Sequence, residues 1–142
     1  MFSLDKSLGF ATNRTANRLK SALEHDFAEQ GFNITADQWS VLSQLSVEDG
    51  LSQQELVKRM AKDKTNIARI LALMERNQLI ERRVDRDDNR VRKAYLSPHG
   101  KSTYSDLFPI GVKTVKRALA GLSEDDVHQV IRLLNIVFDN LA

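Results

Sequence analysis

Cysteine is absent from the 142 residues, and proline occurs only twice. The first absence excludes disulfide frameworks, thiolate metal sites and any thiol-based peroxide sensor, and makes a reducing, cytoplasmic setting the default expectation. No apolar run approaches the roughly 18 residues that a membrane span needs. The opening residues (Met1, Phe2, Ser3, Leu4, Asp5, Lys6) lack the basic-then-apolar pattern of an export signal, so neither export nor anchoring is expected. The six glycines are scattered singly and form no phosphate-cradling loop. Charge of one sign is also lacking, because 21 basic residues meet 19 acidic ones.

The distribution of charge is more informative than its sum. Between Ser52 and Ser97 there are 12 Lys and Arg against 7 Asp and Glu, a net +5, whereas the remainder of the chain carries −3. A basic middle between more acidic ends is the pattern of a chain in which one lobe meets phosphate and the other does something else.

Hydrophobic spacing and cap residues divide the chain. Leu4, Leu8, Ala11, Leu19, Ala22, Leu23 and Phe27 recur near helical spacing, predicting one long helix from about Asp5 to Glu29 and closed by Gly31. Thr35 with Gln38 predicts a capping box ahead of a helix carrying Trp39, Val41, Leu42 and Leu45, with Trp39 in the core. Ser52 with Glu55 predicts a second box before a short helix. Asp63 is the N-cap expected for a fourth helix, whose Ile67, Ile70, Leu71 and Met74 face inward and leave Thr65, Asn66, Arg69 and Arg76 outside. Asn77 is the residue expected to take the left-handed conformation at its end.

The period then changes to that of strands. Ile80 to Val84 and Arg92 to Leu96 flank a polar turn, predicting a two-stranded hairpin with a charged tip. Ser97 and Pro98 start a fifth helix that Pro109 and Gly111 are expected to kink or break. Ser123 and Asp126 open a last helix with a broad apolar face from Val127 to Leu141. Leu8, Ala11, Leu133, Ile136, Val137 and Leu141 have too few partners in so short a chain, and this predicts a second copy.

Three short helices followed by a hairpin, with basic residues on the third helix and the hairpin, suit double-stranded DNA. A helix fits the major groove, and an arginine-tipped hairpin reaches the neighbouring minor groove. Enzyme chemistry has little support. His25, His99 and His128 are isolated in sequence, and the carboxylate pairs Asp87–Asp88 and Glu124–Asp126 fit turn and capping roles. No catalytic residue, metal ligand or cofactor is expected.

The stretch Leu51 to Leu56, Asp63 to Arg69, Leu79 to Arg83, Asp85 to Arg90, and Leu96, Ser97 and Gly100 resembles the MarR family of bacterial transcription regulators. So do Thr35 to Leu42 and the closing Leu122 to Asp125, and the resemblance covers almost the whole chain. The family's wing reads Asp, Pro, any residue, Asp, Arg, Arg. Here it is Asp85, Arg86, Asp87, Asp88, Asn89, Arg90, and Gln78 stands where the family commonly has glycine.

The resemblance implies a mainly α fold with a small β-hairpin wing: a winged helix-turn-helix lobe over residues 35–97 and a helical dimerisation lobe from residues 1–34 and 98–142. It implies a homodimeric repressor on a pseudo-palindromic operator, released by a small aromatic or anionic effector. Lys64, Thr65, Asn66, Arg69, Arg76, Arg86, Asp88 and Arg90 are the residues expected at DNA, with Asp88 holding Arg90. Arg14 and Arg18, one turn apart, are candidates for an anionic effector. The competing class is a winged-helix module that binds protein instead of DNA, against which the arginine-tipped wing and the dimer lobe argue.

Overall fold

The start of each helix is fixed by a side chain at its N-cap. In the computed structural model, which describes Ser3 and residues 6–142, the elements run α1 Leu8–Glu29, α2 Ala36–Val47, β1 Leu51–Ser52, α3 Gln53–Met60, α4 Lys64–Arg76, β2 Ile80–Val84, β3 Arg92–Leu96, α5 Pro98–Ala118 and α6 Glu124–Asn140. Thr35 and Gln38 form the reciprocal capping box of α2, and Ser123 and Asp126 that of α6. Asp63 caps α4 through the Asn66 N–H at 2.8 Å, and Ser97 caps α5 through Gly100. At α3 the box is only half made. The Ser52 hydroxyl accepts from the Glu55 N–H at 3.1 Å, but the Glu55 carboxylate returns to that hydroxyl instead of to the backbone.

Four further expectations need correction. The first helix starts at Leu8, capped by Ser7, and not near Asp5; Leu4 and Asp5 lie outside the described residues. The left-handed residue after α4 is Gln78 (φ 63°), whereas Asn77 stays at φ −83°. The Leu79 N–H then reaches back to the Met74 carbonyl at 2.9 Å, the bond that closes a helix with one left-handed residue. The sheet has three antiparallel strands in the order β1-β3-β2, because Leu51 and Ser52 pair with Ala94 and Lys93 across the far side of β3. Finally, α5 runs unbroken through Pro109 and Gly111. Pro109 is exposed, so the carbonyl it leaves unbonded is open to water. Gly111 is there for packing, since a Cβ would come within 2.9 Å of the Trp39 ring.

The core lies where α1, α2, α4, α5 and the sheet converge. Phe27, Val41, Leu42, Leu45, Leu51, Leu56, Ile67, Leu71, Met74 and Leu107 are sealed from solvent. Trp39 is half-buried at the edge of this core, 5.3 Å from the Phe27 ring and 5.2 Å from that of Tyr104. Gly100 locks α5 to the start of the wing, because its missing Cβ would fall 1.9 Å from the Leu79 carbonyl oxygen. By contrast α6 buries none of its side chains within its own chain, and Leu133, Leu134, Ile136, Val137, Phe138 and Leu141 are all exposed. Among the described residues no helix is long and apolar enough to cross a membrane.

Candidate nucleic-acid interface

The turn between α3 and α4 sets the geometry of the basic lobe. Ala61 closes α3 in the left-handed region (φ 51°), which swings the chain round so that Asp63 can start α4. Gln53, at the start of α3, donates to the Lys64 carbonyl at 3.5 Å and ties the two helix starts together. Arg59 bonds Glu48 at 2.9 Å, and Lys62 pairs with Asp37 at 3.4 Å, so α3 and its following turn are fastened to α2.

The apolar stripe Ile67, Ile70, Leu71 and Met74 is buried and fixes which face of α4 looks outward. That face carries Lys64, Thr65, Arg69 and Arg76, all exposed, with Asn66 half-buried. Three of its polar groups form a chain. Asp63 accepts from the Asn66 backbone and side chain, at 2.8 and 3.2 Å, and Asn66 Oδ1 accepts from Arg69 Nη2 at 3.0 Å. The guanidinium of Arg69 is therefore aimed before any ligand arrives, which reduces the rotamer freedom it would lose on binding.

The wing is built on the same logic. The register of β2 on β3, from Ile80 opposite Leu96 to Val84 opposite Arg92, sets the hairpin, and the Asp85 N–H to Val91 carbonyl bond at 2.9 Å closes its tip. Asp88 accepts from the backbone N–H of Arg90 at 3.0 Å, from its Nε at 3.1 Å and from its Nη2 at 3.2 Å. The side-chain bonds, then the backbone bond, hold the Asp88 carboxyl below its ordinary value, so it stays ionised. Arg90 nevertheless presents 90% of its side chain to solvent. Arg86 is exposed beside it.

Of the 12 basic residues between Ser52 and Ser97, five are in ion pairs: Arg59, Lys62, Arg83, Arg90 and Lys93. Among the described residues the other seven have none, and they include Lys64, Arg69, Arg76 and Arg86. A cleft of about 880 Å³ opens between the starts of α3 and α4 and the wing. It brings Lys64 and Arg90 together with Lys58, Arg82 and Arg92, three residues that the sequence reading did not single out. Alternation along β2 was the available signal for Arg82, since it shares a face with Ile80.

Outside this lobe, Arg14 and Arg18 are exposed on α1, with Arg14 over the Phe10 ring at 5.1 Å. His25, expected to be isolated, lies with Asp26 and Glu29 so that their potential ligand atoms fall within 4.8 Å of one another. His25 pairs with Glu29 at 3.1 Å, and Asp26 accepts from the Thr114 hydroxyl at 2.5 Å and from Arg117 at 3.1 Å. The Thr114 bond, outweighing partial burial, and then Arg117 lower the Asp26 carboxyl below its ordinary value. This group reads as a strut between α1 and α5.

Comparison with known proteins agrees with this architecture. The family model described as the MarR family matches residues 34–91. The HTH-type transcriptional regulator YkoM of Bacillus subtilis is 32% identical over 84% of this chain and 78% of its own. A probable transcriptional regulator from Pseudomonas aeruginosa superimposes with a TM-score of 0.84 at 25% identity, covering 95% of this chain and 99% of that one. CouR from Rhodococcus jostii RHA1, bound to p-coumaroyl-CoA, shares the fold with a TM-score of 0.82 at 18% identity, over 96% of this chain and 95% of its own. The repressor CouR bound to a 23-mer DNA duplex gives 0.81 at 23% identity, over 94% of both chains.

Proposed function

Because the chain belongs to the MarR family, whose members are transcription regulators and not enzymes, we propose that it acts in the cytoplasm as a homodimeric repressor on a pseudo-palindromic operator. In this reading residues 35–97 form the DNA-binding lobe, and residues 1–34 with 98–142 form the dimer lobe. The observation that carries it is the pair of pre-aimed arginines. Arg69 is set by Asn66 and Asp63 on the open face of α4, and Arg90 by Asp88 at the wing tip.

With α4 in the major groove, Arg69 reads a guanine edge while Thr65 and Asn66 lie within reach of neighbouring bases. Arg90 enters the adjacent minor groove, whose negative potential is deepest where it is narrow. Lys64, Arg76 and Arg86 meet phosphates and supply orientation without sequence information. A small aromatic or anionic effector, held with help from Arg14 and Arg18, shifts the spacing of the two α4 helices and releases DNA. The ligand and the duplex bound by CouR support this part of the reading.

Titrating the full chain into native promoter DNA at several salt concentrations tests the proposal. Expected are a specificity ratio of at least about 10³ over scrambled duplex and a linear fall of log affinity with log salt. Equal, weak binding to every sequence overturns it.

A further inference from the structure

Arg82 occupies an unusual place for an arginine. It pairs with Ala94 across β2 and β3, so it lies on the sheet face that also carries Ile80, Leu96 and Leu51. Each of those neighbours is buried. Arg82 lines the cleft together with Val57 and Leu71, and its Nε is shut off from solvent with no hydrogen-bond partner. Among the described residues Arg82 makes no ion pair either. A buried donor without a partner is rare in a native protein. Among the described residues the Nη groups of Arg82 bond to nothing in the chain either, and they are not closed to solvent as Nε is.

The surroundings point to what is missing. Five cations line the cleft, Lys58, Lys64, Arg82, Arg90 and Arg92, and the one carboxylate, Asp88, has both oxygens committed to Arg90. The cleft lies between the first residue of α4 and the tip of the wing. On B-form DNA a major groove and its neighbouring minor groove are separated by one sugar–phosphate strand. A protein with a helix in one and a hairpin tip in the other must straddle that strand, and here the gap beneath it is the cleft.

We propose that the cleft seats a backbone phosphate of the operator, with the Arg82 guanidinium as its charged floor. This rests on the DNA-binding reading of α4 and the wing. The Nη groups of Arg82 hold no partner in the free chain, so bonds from them to phosphate oxygens break none within the protein, whereas the Nε–H behind them is closed off from a ligand as it is from water. A planar guanidinium also donates two parallel bonds to a phosphate, which a lysine cannot copy. Such a contact fixes how the winged lobe sits on the duplex and carries no base preference.

The experiment uses the whole chain described above, its Arg82→Met and Arg82→Lys variants, an operator duplex selected from a random-sequence pool, and a scrambled duplex. Methionine keeps the apolar stem and removes the unpartnered donors, so the thermal midpoint should hold or rise. Affinity should fall about tenfold per half-site, by the same factor on both duplexes. The salt slope should become shallower by about 0.9 per half-site. Arg82→Lys should keep the parent's slope and recover only part of the affinity. Replacing the phosphate between the two occupied grooves with an uncharged methylphosphonate should make parent and Arg82→Met bind alike, a readout that also uses the unmodified chain.

If Arg82→Met binds with the parent's affinity and slope, the inference fails while the DNA-binding reading stands. A lowered midpoint with an unchanged slope makes Arg82 a structural strut and overturns the inference. If the parent itself binds neither duplex in a salt-dependent way, both fall.

Discussion

Leu134→Arg on α6 offers a quantitative test of assembly. Val130, Leu134, Val137 and Leu141 recur at i, i+4, i+7 and i+11, flanked by Leu133 and Phe138, and all six are exposed in the single chain. Leu134 is 41% exposed, so covering that exposed part with a second copy contributes about 1 kcal/mol per chain. Arginine forfeits that term and sets an unpaired charge into the seam, at least about 2 kcal/mol more per chain. A two-fold interface doubles the sum to about 6 kcal/mol, roughly a 10⁴-fold rise in dissociation constant, which turns a micromolar dimer into a monomer. Leu134→Ala, losing only the apolar term twice, should weaken the dimer by about 30-fold.

Dissociation should also melt α6. The helix has 17 residues and buries none of its side chains in its own chain, and an isolated helix of that length is marginal in water. Sedimentation equilibrium with far-ultraviolet circular dichroism should therefore show mass and helicity falling together, while the rest of the fold melts cooperatively. A parent chain that sediments as a monomer at micromolar concentration, or a Leu134→Arg variant that remains a dimer, would refute the reasoning.

Three further outcomes are expected. Arg90→Ala should weaken operator binding at least about tenfold per half-site and reduce the salt slope by about one phosphate equivalent. Asp88→Ala should weaken it less and leave the melting temperature unchanged; parent-like binding by Arg90→Ala together with failure of Arg86→Ala would move the contact to Arg86. Gln78→Gly should raise stability by about 0.5–1 kcal/mol in denaturant titrations. It relieves a left-handed conformation that costs an L-residue about 1–2 kcal/mol, offset in part by glycine's greater unfolded freedom. Asp26→Asn should cost about 1 kcal/mol at neutral pH, since Arg117 is 62% exposed and its pairing is screened. The Asp26 carboxyl is held below 3.8 in the fold, so its contribution is present above that value and disappears as pH falls through and below it. The gap between parent and variant in acid titrations should close there, and a gap that persists in acid would assign the effect to packing.

The helix starts after α1 were legible in the sequence because capping is local chemistry, whereas Ser7, the cap of α1, was not singled out. Thr35, Asp63, Ser97 and Ser123 each bond a group three residues ahead, and that spacing can be seen without a structure. The aspartate–arginine clamp of the wing was expected from the resemblance to the MarR family's wing, and the bonds from Arg90 to Asp88 are present. What depended on distant partners was not. Strand β1 has two residues with no period of its own and exists only because Ala94 and Lys93, more than forty positions later, pair with it. Proline and glycine in α5 looked like breakers by local rule, and the packing of Gly111 on Trp39 overrides the rule. The left-handed residue was assigned to Asn77 on propensity, but the closing bond from Leu79 to Met74 places it one step later, at Gln78. The basic cleft escaped because its cations come from α3, α4, β2 and β3, and only the tertiary fold gathers them.

Selection of binding sites from a random-sequence duplex pool, with the parent chain and Arg69→Ala in parallel, tests DNA reading by α4 most directly. The parent should enrich a pseudo-palindrome with half-sites about one helical turn, or a multiple of it, apart. Arg69→Ala should lose preference at one position in each half-site, at about 1–3 kcal/mol, with the rest of the profile intact. Failure of the parent to enrich any sequence, or an Arg69→Ala profile identical to the parent's, would contradict the placement of α4 in the major groove.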